Sequence, residues 1–590
     1  MTGPAMIDPA PANKPAAKSA EPLRQRLIRS LLYGSNVDRA AKARARVGLA
    51  ILAFAAVYCV LAGRLMLFAV GADSHGARRT ASQDAIATAR PDITDRNGAI
   101  LATDVKAPSL FAEPRRLIDK DEAIELLTGA LPDLDTSEVR DRLSSRKGFV
   151  WLKREITPKQ QLDIHRLGLP GVGFLRENKR VYPTGNEVAH LIGLVNIDNQ
   201  GIAGMEKWLD NNGLADLHRA GFATDRLQKP VELSIDLRVE HALRDELIKA
   251  KEKFKAKAAS GLVSNVRTGE IVAMVSLPDF DPNNPKEAHD PDRINRLTTG
   301  VYEMGSTFKA FTLAMALDSG RFDLNSMWDA RGPLHYGKFA IHDDHNMGRM
   351  INMKEVFYYS SNIGAGRIAL AMGVDAHKAF LRKMGQLERL RTELPESASP
   401  IVPKKWGELN TVTISFGHGI AVAPLQAVMG IDALVNGGYL IPPTFLKRSE
   451  QEAMALARRV IKPETSDKMR YLMRLNAEIG TAKKADVKGY YIGGKTGTAE
   501  KVINGRYAKK RVLNALTAIL PADNPKYQLL IMLDEPQPLK ETYGFITSGW
   551  NAVPTGGNVI ARIAPLLGVE PRFDLPPSDR LILAASRATQ

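Results

Sequence analysis

Cysteine is nearly absent from this sequence. Cys59 is the only one among 590 residues, so no internal disulfide can form. A disulfide-stapled fold is therefore excluded, and the cysteine count does not indicate the cellular compartment. Zinc-finger spacing and arginine-rich tracts are also missing, so no motif points to nucleic acid. A chain of this length is expected to hold two or three domains.

Positive charge exceeds negative charge along the chain. Lysine and arginine number 81 against 65 aspartate and glutamate residues, which gives a formal net charge of +16. Such a surplus suits nucleic acid, an anionic membrane or an anionic cell-surface polymer. Composition alone therefore leaves the partner open.

The amino-terminal region predicts a membrane anchor. Residues 1–46 carry nine basic and three acidic side chains and are expected to form a disordered cytoplasmic tail. Residues 47–71 form an apolar stretch of 25 residues, interrupted by Arg64, which exceeds the ~20 residues that span a bilayer. Basic residues before the span predict a cytoplasmic amino end and an external carboxyl end.

The two alternatives to an uncleaved anchor are a cleaved signal peptide and a buried core helix. Ala69-Val70-Gly71 fits a signal-peptide cleavage site, but the apolar run exceeds the ~7–15 residues of a signal core, and the basic region before it is long. A buried core helix is the other alternative, and the asymmetry of the flanking charge argues against it. The sequence therefore favours a single-pass anchor.

Residues 72–229 form a second predicted region of mixed strands and helices. Two strands and a turn are predicted at 90–102, and helices at 121–131 and 158–167. No nucleophile with a base and no set of metal ligands stands out here, and His190 is interpreted as structural. Four charged residues predict either a buried ion-pair network joining two modules or ordinary surface pairs: Arg90, Asp95, Arg180 and Glu206.

The sequence predicts a larger domain at residues 230–568, followed by a short carboxyl-terminal tail at 569–590. An amphipathic helix is predicted at 237–254. Strands are predicted at 231–236, at 261–266 and 271–275 as a hairpin, and at 512–520 and 527–533. Strands at both ends with helices between them predict an α+β fold, in which a cluster of helices packs beside an antiparallel sheet.

The first candidate motif lies at the start of a predicted buried helix. Ser306 and Lys309 are three residues apart, so they can touch on one helix face. A serine hydroxyl needs a base before it becomes a nucleophile, and a lysine can serve when burial lowers its pKa. The alternative is an ordinary helix start with a solvated lysine. A second Ser-x-x-Lys, at 144–147, lies in a charged stretch that predicts a solvated turn.

The second candidate motif contains Ser360 and Asn362. The two residues flank Ser361, so both side chains can project into a cleft from a short loop. A hydroxyl there can relay a proton, and an amide can hold a substrate carbonyl. The alternative is a helix cap, since serine and asparagine both favour that position.

The third candidate motif is a glycine-rich strand around Lys495. Glycine in a strand often marks the close approach of another backbone, and a peptide substrate that extends the sheet edge would need that space. Lys495, Thr496 and Thr498 would then meet a substrate carboxylate. The alternative is a surface hairpin with a solvated lysine.

Together the three motifs resemble the set of penicillin-binding proteins and class A β-lactamases, in the same chain order. Ser361 stands where that set has aspartate, Met304 where a proline is usual, and Asn265 where aspartate is common. Segments at 95–98, 180–185, 201–206 and 415–419 also fit. The sequence resembles a class B penicillin-binding protein of the septal type, penicillin-binding protein 3, over residues 47–565.

The resemblance implies a fold and a location. A serine penicillin-recognising transpeptidase fold at 230–568 would stand on an elongated, non-catalytic α+β pedestal at 72–229. One N-terminal transmembrane helix would hold both in the periplasm, on the bacterial inner membrane at the division septum. No residues are left for a glycosyltransferase domain, which predicts a monofunctional enzyme. The expected partners are peptidoglycan stem peptides on lipid-linked precursor or nascent strands, β-lactam antibiotics, a membrane-embedded peptidoglycan glycosyltransferase and other division proteins.

The resemblance also implies a role for each motif residue. Ser306 would attack the carbonyl between two terminal D-alanines, and Lys309 would take its proton. Backbone N–H groups of Ser306 and Thr498 would stabilise the oxyanion. Ser360 would pass a proton to the departing D-alanine, and Asn362 would hold the stem-peptide amide. The implied catalytic residues are Ser306, Lys309, Ser360, Asn362 and Lys495. The implied substrate-binding residues are Thr496, Gly497 and Thr498. No metal or cofactor is expected.

Three functions remain as alternatives to the septal transpeptidase that the resemblance implies. The first is an elongation-type class B transpeptidase, which differs in where the protein localises. The second is a β-lactam hydrolase or sensor, although a secreted hydrolase needs neither an anchor nor a long pedestal. The third is a catalytically silent division scaffold, and the intact motif residues argue against it.

Overall fold

The computed structural model describes residues 47–48, 51–64, 89–214, 229–337, 339–503 and 505–583, and it divides into compact units at 1–85 and 86–590. In the first unit, residues 51–64 are helical and exposed. No helix in the described ranges is both long and apolar enough to cross a bilayer. The predicted tail at 1–46, and parts of the predicted anchor at 49–50 and 65–71, lie outside the described residues.

The first part of the second unit, residues 89–214, lies within the region predicted as a pedestal at 72–229. Strands β2 and β4 pair antiparallel from Thr103 opposite Val181 to Ala112 opposite Val172. Three helices pack beside them through Ile124, Leu143 and Ile164 in an apolar core of their own. The elements are β1 Ile93–Thr94, β2 Ile100–Ala112, α1 Lys120–Ala130, α2 Thr136–Ser144, β3 Val150–Lys153, α3 Pro158–Arg166, β4 Val172–Val181, α4 Ala189–Ile192, β5 Leu194–Val195, β6 Gly201–Ala203 and α5 Gly204–Leu209. The helices predicted at 121–131 and 158–167 are confirmed as α1 and α3.

Asp95 shapes the turn between β1 and β2. Its carboxylate accepts hydrogen bonds from the backbone N–H groups of Asn97 and Ala99, both at 2.8 Å. Gly98 has φ of 86°, a conformation that favours glycine. Asp95 also accepts from the N–H of Leu237 at 3.1 Å, which ties the turn to the next domain. Its predicted place in the ion-pair network is therefore wrong, because backbone donors occupy its carboxylate.

Glu206 is the centre of a buried ion-pair network in the pedestal. Its two oxygens accept from Arg90 at 2.8 Å and from Arg180 at 2.7 Å. Asp210 and Asp104 accept further bonds from these arginines, at 2.6 Å and 3.1 Å. The buried alternative is thus confirmed, but every member belongs to residues 89–214, so the network does not join two modules.

Residues 229–583 are the rest of the second unit and include the region predicted as the larger domain. The chain enters through β7 Val231–Glu232, which pairs in parallel with β1. The strand predicted at 231–236 is shorter than expected because Ser234 turns away to donate its backbone N–H to Phe445 O. The helices are α6 Leu237–Lys253, α7 Lys309–Asp318, α8 Met353–Tyr358, α9 Asn362–Met372, α10 Val374–Lys383, α11 Glu408–Ser415, α12 Pro424–Val435, α13 Glu450–Leu456, α14 Pro463–Ile479, α15 Ala552–Leu566 and α16 Ser578–Leu583. The strands are β8 Ala258–Asn265, β9 Ile271–Leu277, β10 Met327–Asp329, β11 Leu334–Tyr336, β12 Phe339–Ile341, β13 Met350–Asn352, β14 Tyr439–Leu440, β15 Arg458–Arg459, β16 Gly493–Ile503, β17 Arg506–Leu520 and β18 Tyr527–Asp534.

A five-stranded antiparallel sheet organises this domain, in the order β16-β17-β18-β8-β9. One face buries apolar residues of α6 and α15, including Leu243, Leu247 and Ile560. The other face packs against the group that contains α7, α12 and α14. The predicted antiparallel sheet with helices beside it is confirmed, and helices cover both faces. Strand β16 is left at the edge, where it borders the cleft described below.

Helix α7 lies at the centre of the helical layer. Every residue from Lys309 to Leu317 is buried. The predicted burial of this helix is confirmed, and the helix is packed on all sides, as its mostly apolar composition favours. The charged side chain at its start, Lys309, is therefore fully buried.

The carboxyl-terminal segment packs on the larger domain. Arg572 donates its backbone N–H to Gly489 O at 2.7 Å, and Tyr491 donates to Ser578 Oγ at 3.1 Å. Ile582 of α16 is buried in the main apolar core. The described part of the predicted tail is thus attached to the fold.

Candidate active site

The first motif forms a tight turn that leads into α7. Residues Gly305–Phe308 are a 3₁₀ turn, and α7 follows at once. Gly305 has φ of 53°, and a Cβ at this position would lie 2.7 Å from Thr498 O. Glycine is required because the turn packs directly against β16. This packing sets Ser306 at the floor of a cleft between β16 and the helices.

Lys309 joins the first and second motifs. Its Nζ lies 2.9 Å from Ser306 Oγ, 3.0 Å from Ser360 Oγ and 2.7 Å from Asn362 Oδ1. Burial lowers the pKa of Lys309 to about 7, although the carboxylates of Asp343 and Asp344 act in the opposite direction. A buried amine that is partly neutral at physiological pH can take the proton of the serine. The solvated-lysine alternative is wrong for this copy of Ser-x-x-Lys.

The second Ser-x-x-Lys copy is different. Ser144 is the last residue of α2, and Lys147 lies in an exposed stretch. The predicted solvated turn is confirmed. The two Ser-x-x-Lys copies therefore differ in the burial of their lysines, since Lys309 is fully buried and Lys147 is exposed.

Ser360 bridges the two lysines of the cleft. Its Oγ lies 3.0 Å from Lys309 Nζ and 3.0 Å from Lys495 Nζ. The residue has φ of 61°, which is uncommon for a side chain other than glycine. Such a conformation persists only where its surroundings hold it, and here two lysines do so.

Lys495 lies fully buried on the edge strand β16. Burial lowers its pKa well below the usual range, and the nearby Lys309 lowers it further. Thr496 donates to Thr481 Oγ1 at 2.7 Å, and Ser548 donates its backbone N–H to Thr498 Oγ1 at 3.1 Å. The surface-hairpin alternative is wrong, since this part of the strand forms a wall of the cleft.

Gly497 accommodates the chain's own backbone. A Cβ at this position would lie 2.6 Å from Met304 O and 2.9 Å from Thr307 Cγ2. The glycine-rich strand correctly predicted a close backbone approach. The approaching segment at Gly497 is the nucleophile turn, whereas the sequence suggested a peptide substrate.

Asp343 is a residue of the site that sequence reasoning missed. Its carboxylate accepts hydrogen bonds from Ser361 Oγ at 2.6 Å and from the backbone N–H groups of Asn362 at 2.5 Å and Ile363 at 3.0 Å. Ser361 Oγ accepts from the N–H of Gly364 at 2.9 Å and caps α9. The helix-cap alternative therefore holds for Ser361, while its two neighbours face Lys309. No spacing in the sequence connects position 343 to this motif.

Glu303, Tyr507 and His418 form a group of contacts next to the nucleophile turn, Gly305–Phe308. Glu303 accepts from the N–H of Gly419 at 2.9 Å and from the hydroxyl of Tyr507 at 3.2 Å. The ring of Tyr507 stacks on His418 with centroids 5.4 Å apart. The sequence pattern Ser-Phe-Gly-His-Gly at 415–419 marked this loop, but nothing in it indicated Glu303 or Tyr507.

Comparison with known proteins assigns the family. Residues 259–549 match the penicillin binding protein transpeptidase domain, and residues 85–212 match the penicillin-binding protein dimerisation domain. The chain is 41% identical over 496 residues to the probable peptidoglycan D,D-transpeptidase FtsI of Caulobacter vibrioides, covering 82% of this chain and 83% of that protein. The chain is a class B penicillin-binding protein.

Further relatives support this assignment to the class B penicillin-binding proteins. The peptidoglycan D,D-transpeptidase FtsI of Escherichia coli K12 is 30% identical over 525 residues, covering 84% of this chain and 87% of that protein. The fold matches the crystal structure of penicillin binding protein 3 from Mycobacterium tuberculosis, complexed with aztreonam, with a TM-score of 0.63 and 23% identity. That match covers 83% of this chain and 98% of the other.

Proposed function

We propose that this protein is a peptidoglycan D,D-transpeptidase that cross-links stem peptides during septal cell-wall synthesis through an acyl-enzyme on Ser306. The observation that carries the proposal is the 2.9 Å distance between Ser306 Oγ and the Nζ of fully buried Lys309. Burial favours the neutral amine, which is the form that accepts a proton. The relatives in Caulobacter vibrioides and Escherichia coli bear the name of this activity.

Acylation begins when Lys309 takes the proton of Ser306. The freed Oγ attacks the carbonyl carbon between the two terminal D-alanines of a stem peptide, and the C–N bond breaks. Ser360, which lies 3.0 Å from both lysines, passes its proton to the departing amino nitrogen and takes from Lys309 the proton that came from Ser306, so Lys309 is neutral again. D-Alanine leaves, and the rest of the stem peptide remains as an ester on Ser306.

The donor peptide is held along β16. Lys495, with the hydroxyl groups of Thr496 and Thr498, receives the terminal carboxylate. Backbone N–H groups of Ser306 and Thr498 stabilise the oxyanion, a contribution of about 3 kcal/mol for each donor. Gly497 lets the strand that carries Thr498 pack directly against the nucleophile turn that carries Ser306.

Transfer completes the reaction. An uncharged amine of a neighbouring stem peptide attacks the ester carbonyl, and its proton passes to Lys309. The bond to Ser306 Oγ breaks, and this oxygen takes the proton back from the lysine. The products are a peptide cross-link and free Ser306. A β-lactam imitates the terminal dipeptide and acylates the same oxygen.

The remaining assignments follow the resemblance and form part of the proposal. A cytoplasmic tail at 1–46 and a transmembrane anchor at 47–71 precede the pedestal at 72–229, the catalytic domain at 230–568 and the tail at 569–590. The catalytic domain faces the periplasm at the septum. A membrane-embedded glycosyltransferase supplies glycan strands, and other division proteins recruit the enzyme. An elongation-type enzyme would instead localise along the side wall, so imaging a fluorescent fusion in dividing cells separates the two.

Labelling with a fluorescent penicillin tests the proposal. The intact chain is expected to hold the label stably, and Ser306→Ala to take up none. Ser144→Ala is the matched control, because it changes the exposed Ser-x-x-Lys copy and is expected to label like the unaltered chain. Loss of the label within seconds would indicate a hydrolase. Absence of labelling on the unaltered chain would indicate a catalytically silent scaffold.

A further inference from the structure

We propose that a basic cavity of the larger domain, outside the catalytic cleft, binds a phosphate or pyrophosphate group. The cavity has a volume of about 440 Å³ and lies where the ends of α7 and α10 meet β15 and the start of α14. Its lining contains cationic side chains beside apolar ones. The inference goes beyond the transpeptidase function and does not depend on it.

Helix α7 separates this basic cavity from the catalytic cleft. Its first residue, Lys309, contacts Ser306, whereas its last residue, Asp318, lines the cavity. At 1.5 Å per residue, the two ends are about 14 Å apart along the helix axis. Asp318 Oδ1 accepts from the backbone N–H of Lys462 at 2.7 Å and from the hydroxyl of Thr465 at 2.9 Å. These contacts tie the start of α14 to α7, so the cavity is a fixed part of the fold.

Positive charge converges on the cavity from three separate elements. Lys383 ends α10, Arg459 lies on β15, and Lys462 directly precedes α14. Together with the carboxylate of Asp318, they give the lining a formal surplus of two positive charges. Arg458 donates to Lys383 O at 3.0 Å, which brings a further cation to the same edge. Within the part of the chain that the structure describes, no hydrogen bond or ion pair involves the ammonium group of Lys383 or Lys462.

The guanidinium group of Arg459 is held in place without a counter-charge. Its Nη1 donates to Gly437 O at 3.1 Å, and its Nη2 donates to the hydroxyl of Tyr439. The guanidinium carbon also lies 4.2 Å from the centroid of the Tyr439 ring. These partners are uncharged, so the positive charge of Arg459 is not neutralised by them. A planar guanidinium that is already positioned loses little freedom on binding, and its N–H groups match the geometry of a phosphate.

The charge and the lining of the cavity favour a phosphate over a carboxylate. A phosphate monoester carries a charge of about −1.5 to −2 at neutral pH, which matches the formal surplus of two, whereas a carboxylate carries only one negative charge. Val460, Ile461 and Pro463 form the apolar part of the lining. A phosphate or pyrophosphate on an apolar chain would contact both parts of the lining, and a free phosphate would contact only the cations. The two sources share one chemistry, and a titration separates them.

Isothermal titration calorimetry tests the proposal. The full chain, in detergent, is titrated with inorganic pyrophosphate and with geranyl pyrophosphate, and sodium chloride at the same ionic strength is the reference. Saturable binding of both pyrophosphates is expected. Arg459→Gln and Lys462→Gln are each expected to weaken it about tenfold, the effect of one hydrogen bond to a charged group. Arg459→Lys keeps the charge but not the planar fork, and a smaller loss is expected. Tighter binding of geranyl pyrophosphate would support a lipid-linked ligand, and equal binding would support a free phosphate.

Lys405→Gln is the control, because it removes an exposed lysine of the same domain that does not line the cavity. It is expected to bind both pyrophosphates like the unaltered chain, and thermal melting followed by circular dichroism checks that each variant is folded. Heats no larger than those of sodium chloride would overturn the proposal. An equal loss in Lys405→Gln would do the same, since it would indicate diffuse attraction to a basic surface. So would pyrophosphate that blocks labelling of Ser306 by a fluorescent penicillin, since it would then bind in the catalytic cleft.

Discussion

The carboxylate of Asp343 accepts a hydrogen bond from the backbone N–H of Asn362 at 2.5 Å, where α9 begins. This contact, with those from Ser361 and Ile363, holds the second motif against Lys309. Together, Ser361 and Asp343 cap the helix. The carboxylate of this cap comes from a separate loop, since Asp343 lies 18 residues before Ser361.

Substitution of Asp343 tests this arrangement. Asp343→Asn keeps the size of the side chain but weakens the hydrogen bonds from Asn362 and Ile363, and the acylation rate with penicillin is expected to fall about tenfold, since a charged cap contributes ~1–2 kcal/mol. Removing the negative charge also lowers the pKa of Lys309, which moves the pH profile to lower values. Asp323→Asn is the control, because Asp323 caps an exposed turn at Asn325 and Ser326. A tenfold loss in both variants would contradict the assignment.

The pH dependence of acylation reports the state of Lys309. Burial lowers its pKa to about 7, and only the neutral amine takes the proton of Ser306. The acylation rate is therefore expected to rise roughly tenfold between pH 6 and pH 8 and then to level off. Stopped-flow measurement with a chromogenic cephalosporin provides the rate. A rate that stayed constant from about pH 5.5 to about pH 8.5, a range that brackets the Lys309 pKa of about 7, would exclude Lys309 as the base.

Gly497 is expected to tolerate no side chain. In Gly497→Ala, the new Cβ would clash with Met304 O, which is backbone and cannot swing aside. The free energy of unfolding should fall by about 1–3 kcal/mol, and acylation should fall with it because the nucleophile turn shifts. Gly129→Ala in α1 is the control, since a Cβ there meets nothing within 4 Å. Equal melting temperatures and acylation rates for the two variants would show that the turn and β16 are not tightly packed.

The sequence identified most of the cleft but not the residues that support it. Ser306, Lys309, Ser360, Asn362 and Lys495 were found because fixed spacings within short motifs report local chemistry. Asp343 was missed, and Glu303 was given no role, because their partners lie far along the chain or are backbone groups, and a backbone N–H leaves no signature in a sequence. The strands near the carboxyl end and α6 were predicted closely because apolar periodicity reports burial directly. The burial of α7 was predicted as well, from its mostly apolar side chains.

Glu206 is expected to be decisive for the stability of the pedestal. Glu206→Gln would leave the buried guanidinium groups of Arg90 and Arg180 with less negative charge, a change that typically costs ~3–5 kcal/mol. Urea denaturation followed by circular dichroism measures the loss. Glu113→Gln is the control, because the Glu113–Arg116 pair is exposed, and its loss is expected to be below about 1 kcal/mol. Similar losses in both variants would mean that the network contributes no more than a surface pair.

Tyr507 is expected to hold the β16–β17 hairpin against the nucleophile turn. Its hydroxyl donates to Glu303, three residues before Ser306, while its ring stacks on His418. Tyr507→Phe removes only the hydrogen bond, so acylation should slow about fivefold, whereas Tyr507→Ala also removes the stacked ring and should slow it further. Tyr439→Phe is the control, because its hydroxyl contacts Arg459 on the separate β14–β15 pair. If Tyr507→Phe matched the unaltered chain while Tyr507→Ala did not, stacking alone would position the hairpin, and Glu303 would act only through Gly419.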